Sequence, residues 1–335
     1  MNGRLSDEDA HGGRIPIIVA LFIGIGLMLA PVAFQMFSRA PLGGDMIDDF
    51  DPYMSTEQVE LFRGYLVTVD AANAESLELR ADLVTAGALA ADDDTTLIAM
   101  SQLNDSWPAI DEDMTDLIDR MEGNIDNYEA VAALPSFDLF AWFFFLPGVI
   151  IAGLSASILW AQRSGDRPTR RLWALVGVGI AVVLAPAVFQ MFTRAPMGRD
   201  MIDDFRPMMT RERVQNVQGY FVTMGAAEGQ LRMQATTLAT EAGIDVDDYP
   251  AIAEFSSEWP TIVVDFNPMV ATMSDNVDNF AAVDAMPSFD LFPWFFVVPG
   301  ALVAGLAAFS LRRRPDAPTV EPTNVSPSES QGENP

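Results

Sequence analysis

Charge is missing from four blocks of the chain. No Asp, Glu, Lys or Arg lies between Arg14 and Arg39, Asp138 and Arg163, Arg171 and Arg194, or Asp290 and Arg312, which leaves uncharged runs of 24, 24, 22 and 21 residues. About 20 apolar residues in a helix cross a hydrocarbon core, and core helices of globular proteins are rarely apolar on every side over such lengths. Four transmembrane helices are therefore predicted, over residues 15–37, 139–162, 172–192 and 291–311. The first run behind Arg14 looks like a signal peptide, but the same element recurs in mid-chain, which argues that it is retained.

Between the blocks the pattern changes to helical stripes. Ser55, Thr56 and Glu57 open a helix after Pro52, and Thr210 opens one after Pro207. Apolar residues follow at Val59, Phe62, Leu66 and Val69, and at Val214, Val217, Phe221 and Met224, with ends predicted near Ala90 and Gly243. Gly64 and Gly219 lie in mid-helix, where glycine costs about 1 kcal/mol relative to alanine, so a close backbone contact is expected there. A shorter helix is predicted before Trp107-Pro108 and Trp259-Pro260. The clearest stripe comes next: Ile110, Met114, Leu117, Met121, Asn124, Tyr128 and Val131, then Ile262, Phe266, Met269, Met273, Asn276, Phe280 and Val283. This is a heptad seam with asparagine at one core position. Asn124 and Asn276 either fix register by bonding across an interface or face solvent near a frayed end. Pro268 has no counterpart and predicts a kink or restart in the second seam.

These patterns occur twice because the sequence does. APVAFQMFSRAPLGGDMIDDF at 30–50 matches APAVFQMFTRAPMGRDMIDDF at 185–205, 155 residues on, and LPSFDLFAWFFFLPG at 134–148 matches MPSFDLFPWFFVVPG at 286–300, 152 residues on. Each copy holds two spans, so the copies run parallel and their symmetry axis lies along the membrane normal. Pro31, Pro186, Pro147 and Pro299 fall at one depth below the outer surface. They are either tolerated membrane prolines or a ring of kinks opening an outward cavity. Gly148 and Ala152, Gly300 and Ala304, and Gly153 and Gly305 put small residues on faces where spans can approach closely.

Composition then orients the chain. Of 335 residues half are hydrophobic, the formal net charge is -28, and cysteine is absent, so disulfides are excluded. Lysine is absent too. The loop 163–171 carries four arginines and one aspartate, and Arg312, Arg313 and Arg314 follow the last span; these face the cytoplasm by the positive-inside rule. Residues 38–138 carry 23 acidic and 4 basic side chains, and 193–290 carry 16 and 6, and both are placed outside. A disordered cytoplasmic start over 1–14 and a Pro-, Ser- and Glu-rich disordered tail over 312–335 complete the organisation. The fold class is all-α: an integral plasma-membrane protein with four spans and an extracytoplasmic helical bundle, built from two parallel tandem repeats.

Chemistry is sparse. His11 is the only histidine, which removes His-dependent triads, and the absence of cysteine and lysine removes thiol, zinc-thiolate and Schiff-base sites. Carboxylates remain. Asp45, Asp48 and Asp49, near Arg39, recur as Asp200, Asp203 and Asp204, near Arg194. Such oxygens can hold a divalent cation, or form a solvated helix start beside an interfacial arginine that caps its own span; the second reading is preferred, and no metal, cofactor or catalytic residue is assigned. The acidic domains repel nucleic acid. The order of span, helical bundle and span resembles the layout of bacterial sensory receptors in architecture, with no signature sequence of that family. The expected function is non-enzymatic: an interaction, scaffold or sensory module of the cell envelope, held in the lipid bilayer, with a protein partner or a second copy. The alternative is a transporter or channel subunit with an acidic, cation-attracting vestibule.

Overall fold

The computed structural model describes residues 14–312 apart from 94, 165 and 167; the expected disordered start and tail, His11, Asp94, Arg167, Arg313 and Arg314 lie outside the described residues. Every regular element among these residues is helical, and four helical segments are long and apolar enough to cross a membrane. They contain α1 (Ile15–Ala33), α6 (Phe140–Arg163), α7 (Thr169–Val188) and α12 (Phe292–Arg312), and they form a closed ring in which α1 touches α6 and α12, and α7 touches the same two. Glycine sets the closest approaches. A Cβ on Gly24 would lie 2.6 Å from the Ala152 nitrogen, and one on Gly179 would lie 2.7 Å from that of Ala304; Gly148 and Gly300 face them. The chain is a multi-pass membrane protein by this architecture. On α6, Trp142 and Trp160 are both exposed and stand eighteen residues apart, about 27 Å, which fits headgroup-level aromatics on either side of a hydrocarbon core of about 30 Å.

The centre of the ring is filled. Phe140 meets Phe292 edge-on at 4.7 Å between ring centroids, and Phe144 meets Phe296 at 4.4 Å. In both pairs the partners are residues 152 positions apart, so equivalent side chains of the two sequence copies touch each other.

The polar bundle is made of α3 (Thr56–Thr85), α4 (Ile98–Gly123), α9 (Arg211–Gln230) and α11 (Pro250–Asp284). Ser55 and Thr210 cap their helices as their sequence implied, accepting from the amides of Gln58 and Arg213. Both seams are buried along their whole length, with Phe62 stacked on Phe266 at 4.2 Å. Consecutive helices α3 and α4 pack together, as do α9 and α11, and the pairs cross-pack through α3 with α11 and α4 with α9.

Five expectations need correction. The run 15–37 is not one helix: α1 ends at Ala33, and Gln35 adopts a left-handed φ of 55° before α2 (Met36–Phe50); Gln190 (φ 54°) does the same between α7 and α8 (Met191–Phe205). The breaks thus fall four residues past Pro31 and Pro186, while Pro147 and Pro299 sit inside unbroken helices. Trp107-Pro108 and Trp259-Pro260 start no new helix, and Pro268 causes no restart, for α11 runs through it. Val264, whose carbonyl loses its donor to Pro268, is 67 % exposed, so the missing bond falls on the solvent face of the helix while the seam on the opposite face stays packed. The interruption is instead in the first copy, where Gly123 ends α4 before α5 (Ile125–Ala132); the second copy has Asp275 there. α3 ends at Thr85, short of Ala90, because Gly87 takes a φ of 73°. Gly64 and Gly219 make no close backbone contact, since a Cβ on either would meet nothing within 4 Å.

The difference between the two offsets has a structural origin. From Ser55 to Gly87 there are 32 steps and from Thr210 to Gly243 there are 33, and the extra residue is absorbed as a π-helical turn at Leu231–Ala235 before α10 (Thr236–Glu241). Buried Leu79 and Leu83 then correspond to buried Ala235 and Ala239. The following connection is four residues shorter in the second copy, which brings the offset to 152.

Candidate functional site

Where spans meet bundle, each short juxtamembrane helix leaves its own copy of the sequence and packs on the other. Helix α2 lies against α11, and α8 lies against α5. The side chains that hold this exchange are the ones the sequence singled out. Arg39 Nη1 donates to the Ala285 carbonyl at 3.2 Å, and Arg194 Nη1 to that of Ala133 at 2.6 Å. Ala285 and Ala133 are the C-caps of α11 and α5, so each arginine satisfies an orphan carbonyl at the negative end of a helix dipole. The expected local capping of its own span is thereby replaced by capping of a helix from the other copy.

The asparagines are not solvent-facing. Asn124 and Asn276 are each 1 % exposed. Asn276 Nδ2 donates to Asp49 Oδ2 at 2.9 Å and to the Thr272 carbonyl, while its Oδ1 accepts from Asn279. Asn124 repeats this with Asp204 Oδ2 at 3.1 Å, the Arg120 carbonyl and Asn127. Each amide is thus spent on register between copies. The other expected carboxylates disperse: Asp203 pairs with Arg199 and Arg206, and Asp45, Asp48 and Asp200 are exposed. Among the described residues no group of three or more Asp, Glu or His converges to hold a metal ion. Gly148, Ala152, Gly300 and Ala304 lie at the span contacts, whereas Gly153 and Gly305 face away with nothing within 4 Å of a Cβ.

Further exchanges, unread in the sequence, close the far end of the bundle. The amide of Ile252 in the first turn of α11 donates to Glu75 Oε2 at 3.1 Å, and that of Met100 in the first turn of α4 donates to Gln230 Oε1 at 3.0 Å. Glu75 and Gln230 correspond, so each copy caps the other's helix start. Tyr65 donates to Asp265 Oδ2 at 2.6 Å, and Tyr220 to Asp113, which also accepts from Arg213. Burial and then the hydrogen bond to Asp265 push Tyr65 up to about 12, and burial and the bond to Asp113 do the same for Tyr220. Burial raises the Asp113 carboxyl, but its bonds from Arg213 and Tyr220 outweigh this and hold it below the usual range.

The exchange leaves space at its centre. A cavity of about 100 Å³ lies between α2, α8 and the seams, and its lining comes in corresponding pairs: Gly43 and Gly198, Met46 and Met201, Met54 and Met209, Met121 and Met273. Its surface is almost wholly apolar. At about 24 cal/mol per Å³, an empty space of that size costs about 2 kcal/mol, and seven methionines line it with adaptable side chains. Tyr128 and Arg194 are the polar side chains among the described residues that line it. No protein-family model matches the chain, and no curated protein sequence is significantly similar to it.

Proposed function

We propose that the chain is a non-enzymatic plasma-membrane protein built from two parallel repeats about a pseudo-twofold axis along the membrane normal. Its termini are cytoplasmic, its acidic bundle lies outside, and the bundle serves as an interaction or sensory module in the envelope. One observation carries this reading: the reciprocal clasp in which Arg39 caps the helix ending at Ala285 and Arg194 caps the one ending at Ala133. Because each juxtamembrane helix is joined to a span by a two-residue hinge, Phe34-Gln35 or Phe189-Gln190, and is bonded to the other copy's seam, a displacement of either seam moves both pairs of spans. That is what a module reporting an external contact to the membrane requires.

The phenylalanine pairs on the axis support this reading over a channel, since Phe140, Phe144, Phe292 and Phe296 occupy the place where a path would run. The spans also carry no ionisable side chain, and such groups mark coupled ion pathways. Cation flux through the full chain reconstituted in liposomes is expected to equal that of empty vesicles. A leak that Phe144→Ala enlarges would overturn the reading in favour of a channel subunit.

A further inference from the structure

The cavity at the joint has a neighbour. A second space of about 20 Å³ shares Leu134, Phe137 and Phe289 with it, and is bordered by Phe143, Ala185 and Phe296 of the spans and by Phe189 and Met191 on either side of the left-handed Gln190. Two apolar spaces thus adjoin across Leu134, Phe137 and Phe289, one at the base of the bundle and one among the apolar helices at the α7–α8 break. Water is a poor occupant, because a buried water needs two to four polar partners. Of the polar side chains at the cavity wall, the Tyr128 hydroxyl donates to the Ile47 carbonyl at 2.6 Å, and Arg194 Nη1 donates to that of Ala133. What fits is uncharged, flexible and thin, and the second space, lined by Phe143, Ala185 and Phe296, lies among the apolar helices.

We propose that this cavity is a binding site for the distal, uncharged part of a bilayer lipid's acyl chain, which enters beside Phe189 and Met191 and ends among the paired methionines. Occupancy replaces void with contact between α2, α8 and both seams, so it stiffens the joint that ties the bundle to the spans. The position of the bundle then depends on the lipid as well as on any external partner. This deepens the proposed function by naming a ligand class for the same joint, and rests on the joint being the coupling point.

The test uses the full chain in lipid nanodiscs containing a phosphatidylcholine with a diazirine at the end of one acyl chain. After irradiation, adducts are located by mass spectrometry. Adducts are expected on Met46, Met201 and Met273, falling about tenfold when Met46→Phe and Met201→Phe together fill the space; Met273→Phe alone serves if that pair fails to fold. Adducts confined to outward-facing residues such as Leu29, Ile180 and Val188 would overturn the proposal, as would cavity adducts that either filled variant leaves unchanged. Labelling by a small soluble aryl diazirine but not by the lipid would overturn the lipid source. Failure of labelling in a protein that conducts no cations removes the ligand and leaves the proposed function, whereas a cation leak removes the proposed function and leaves the labelling result intact.

Discussion

Asn124 and Asn276 each use both amide hydrogens and the amide oxygen, in matching patterns. Replacing either with alanine removes a hydrogen bond to the exposed carboxylate of Asp204 or Asp49, and a hydrogen bond to a charged group contributes about 1.5–3 kcal/mol; Asn124→Ala and Asn276→Ala are each expected to lower the unfolding free energy by that amount in detergent. A loss of less than about 0.5 kcal/mol, typical of ordinary surface positions, would show that the asparagines are not held as described. The tyrosines give a pH signature. Their unfolded value is about 10 and Tyr65 and Tyr220 stand at about 12 in the fold, so the fold holds these protons more tightly than the open chain does. Their stabilisation is complete below pH 10 and is lost as pH rises toward 12. Thermal melts across that range are expected to fall steeply, and Tyr65→Phe with Tyr220→Phe to flatten the fall. At this scale the sequence named the asparagines and arginines from spacing alone. It did not show that their partners lie between 61 and 246 residues away, because a hydrogen bond across copies leaves no local pattern.

Helix stripes, caps and span lengths were legible because each depends on residues within a few turns. The heptad seams and the caps at Ser55 and Thr210 are where their spacing put them. The proline at 268 misled because its cost depends on which face it occupies, a property of packing rather than of the residue. Glycines misled in the same way: Gly64 and Gly219 stand open, while Gly24 and Gly179, unremarked in the sequence, make contacts between spans comparable with those of Gly148 and Gly300. Gly24→Ala is expected to destabilise the chain strongly, since the new Cβ would sit 2.6 Å from a backbone nitrogen, whereas Gly153→Ala meets nothing within 4 Å and is expected to leave the melting temperature unchanged. Equal effects of the two would contradict the span packing. The π turn yields a further expectation. Deleting Met233, which is 68 % exposed, converts that turn to plain α-helix in the register of α3, so the deletion is expected to keep helical circular dichroism and melting temperature. A collapse of either would mean that the extra residue is structural rather than a tolerated insertion.

For the whole molecule, the central claim is that the two copies hold each other: Arg39 and Arg194, Asn124 and Asn276, and the helix-start caps Glu75 and Gln230 reach across to the other copy, and a paired apolar cavity lies beside the arginine and asparagine contacts. A chain without cysteine allows this to be measured directly. Asp49→Cys with Asn276→Cys, and separately Asp204→Cys with Asn124→Cys, are introduced into the full chain in membranes and treated with a short bifunctional maleimide. Linking within a single chain is predicted for both pairs, with monomeric mass retained and the link mapped by proteolysis. No link in either pair, or links only between chains, would contradict the exchange on which the functional reading is built.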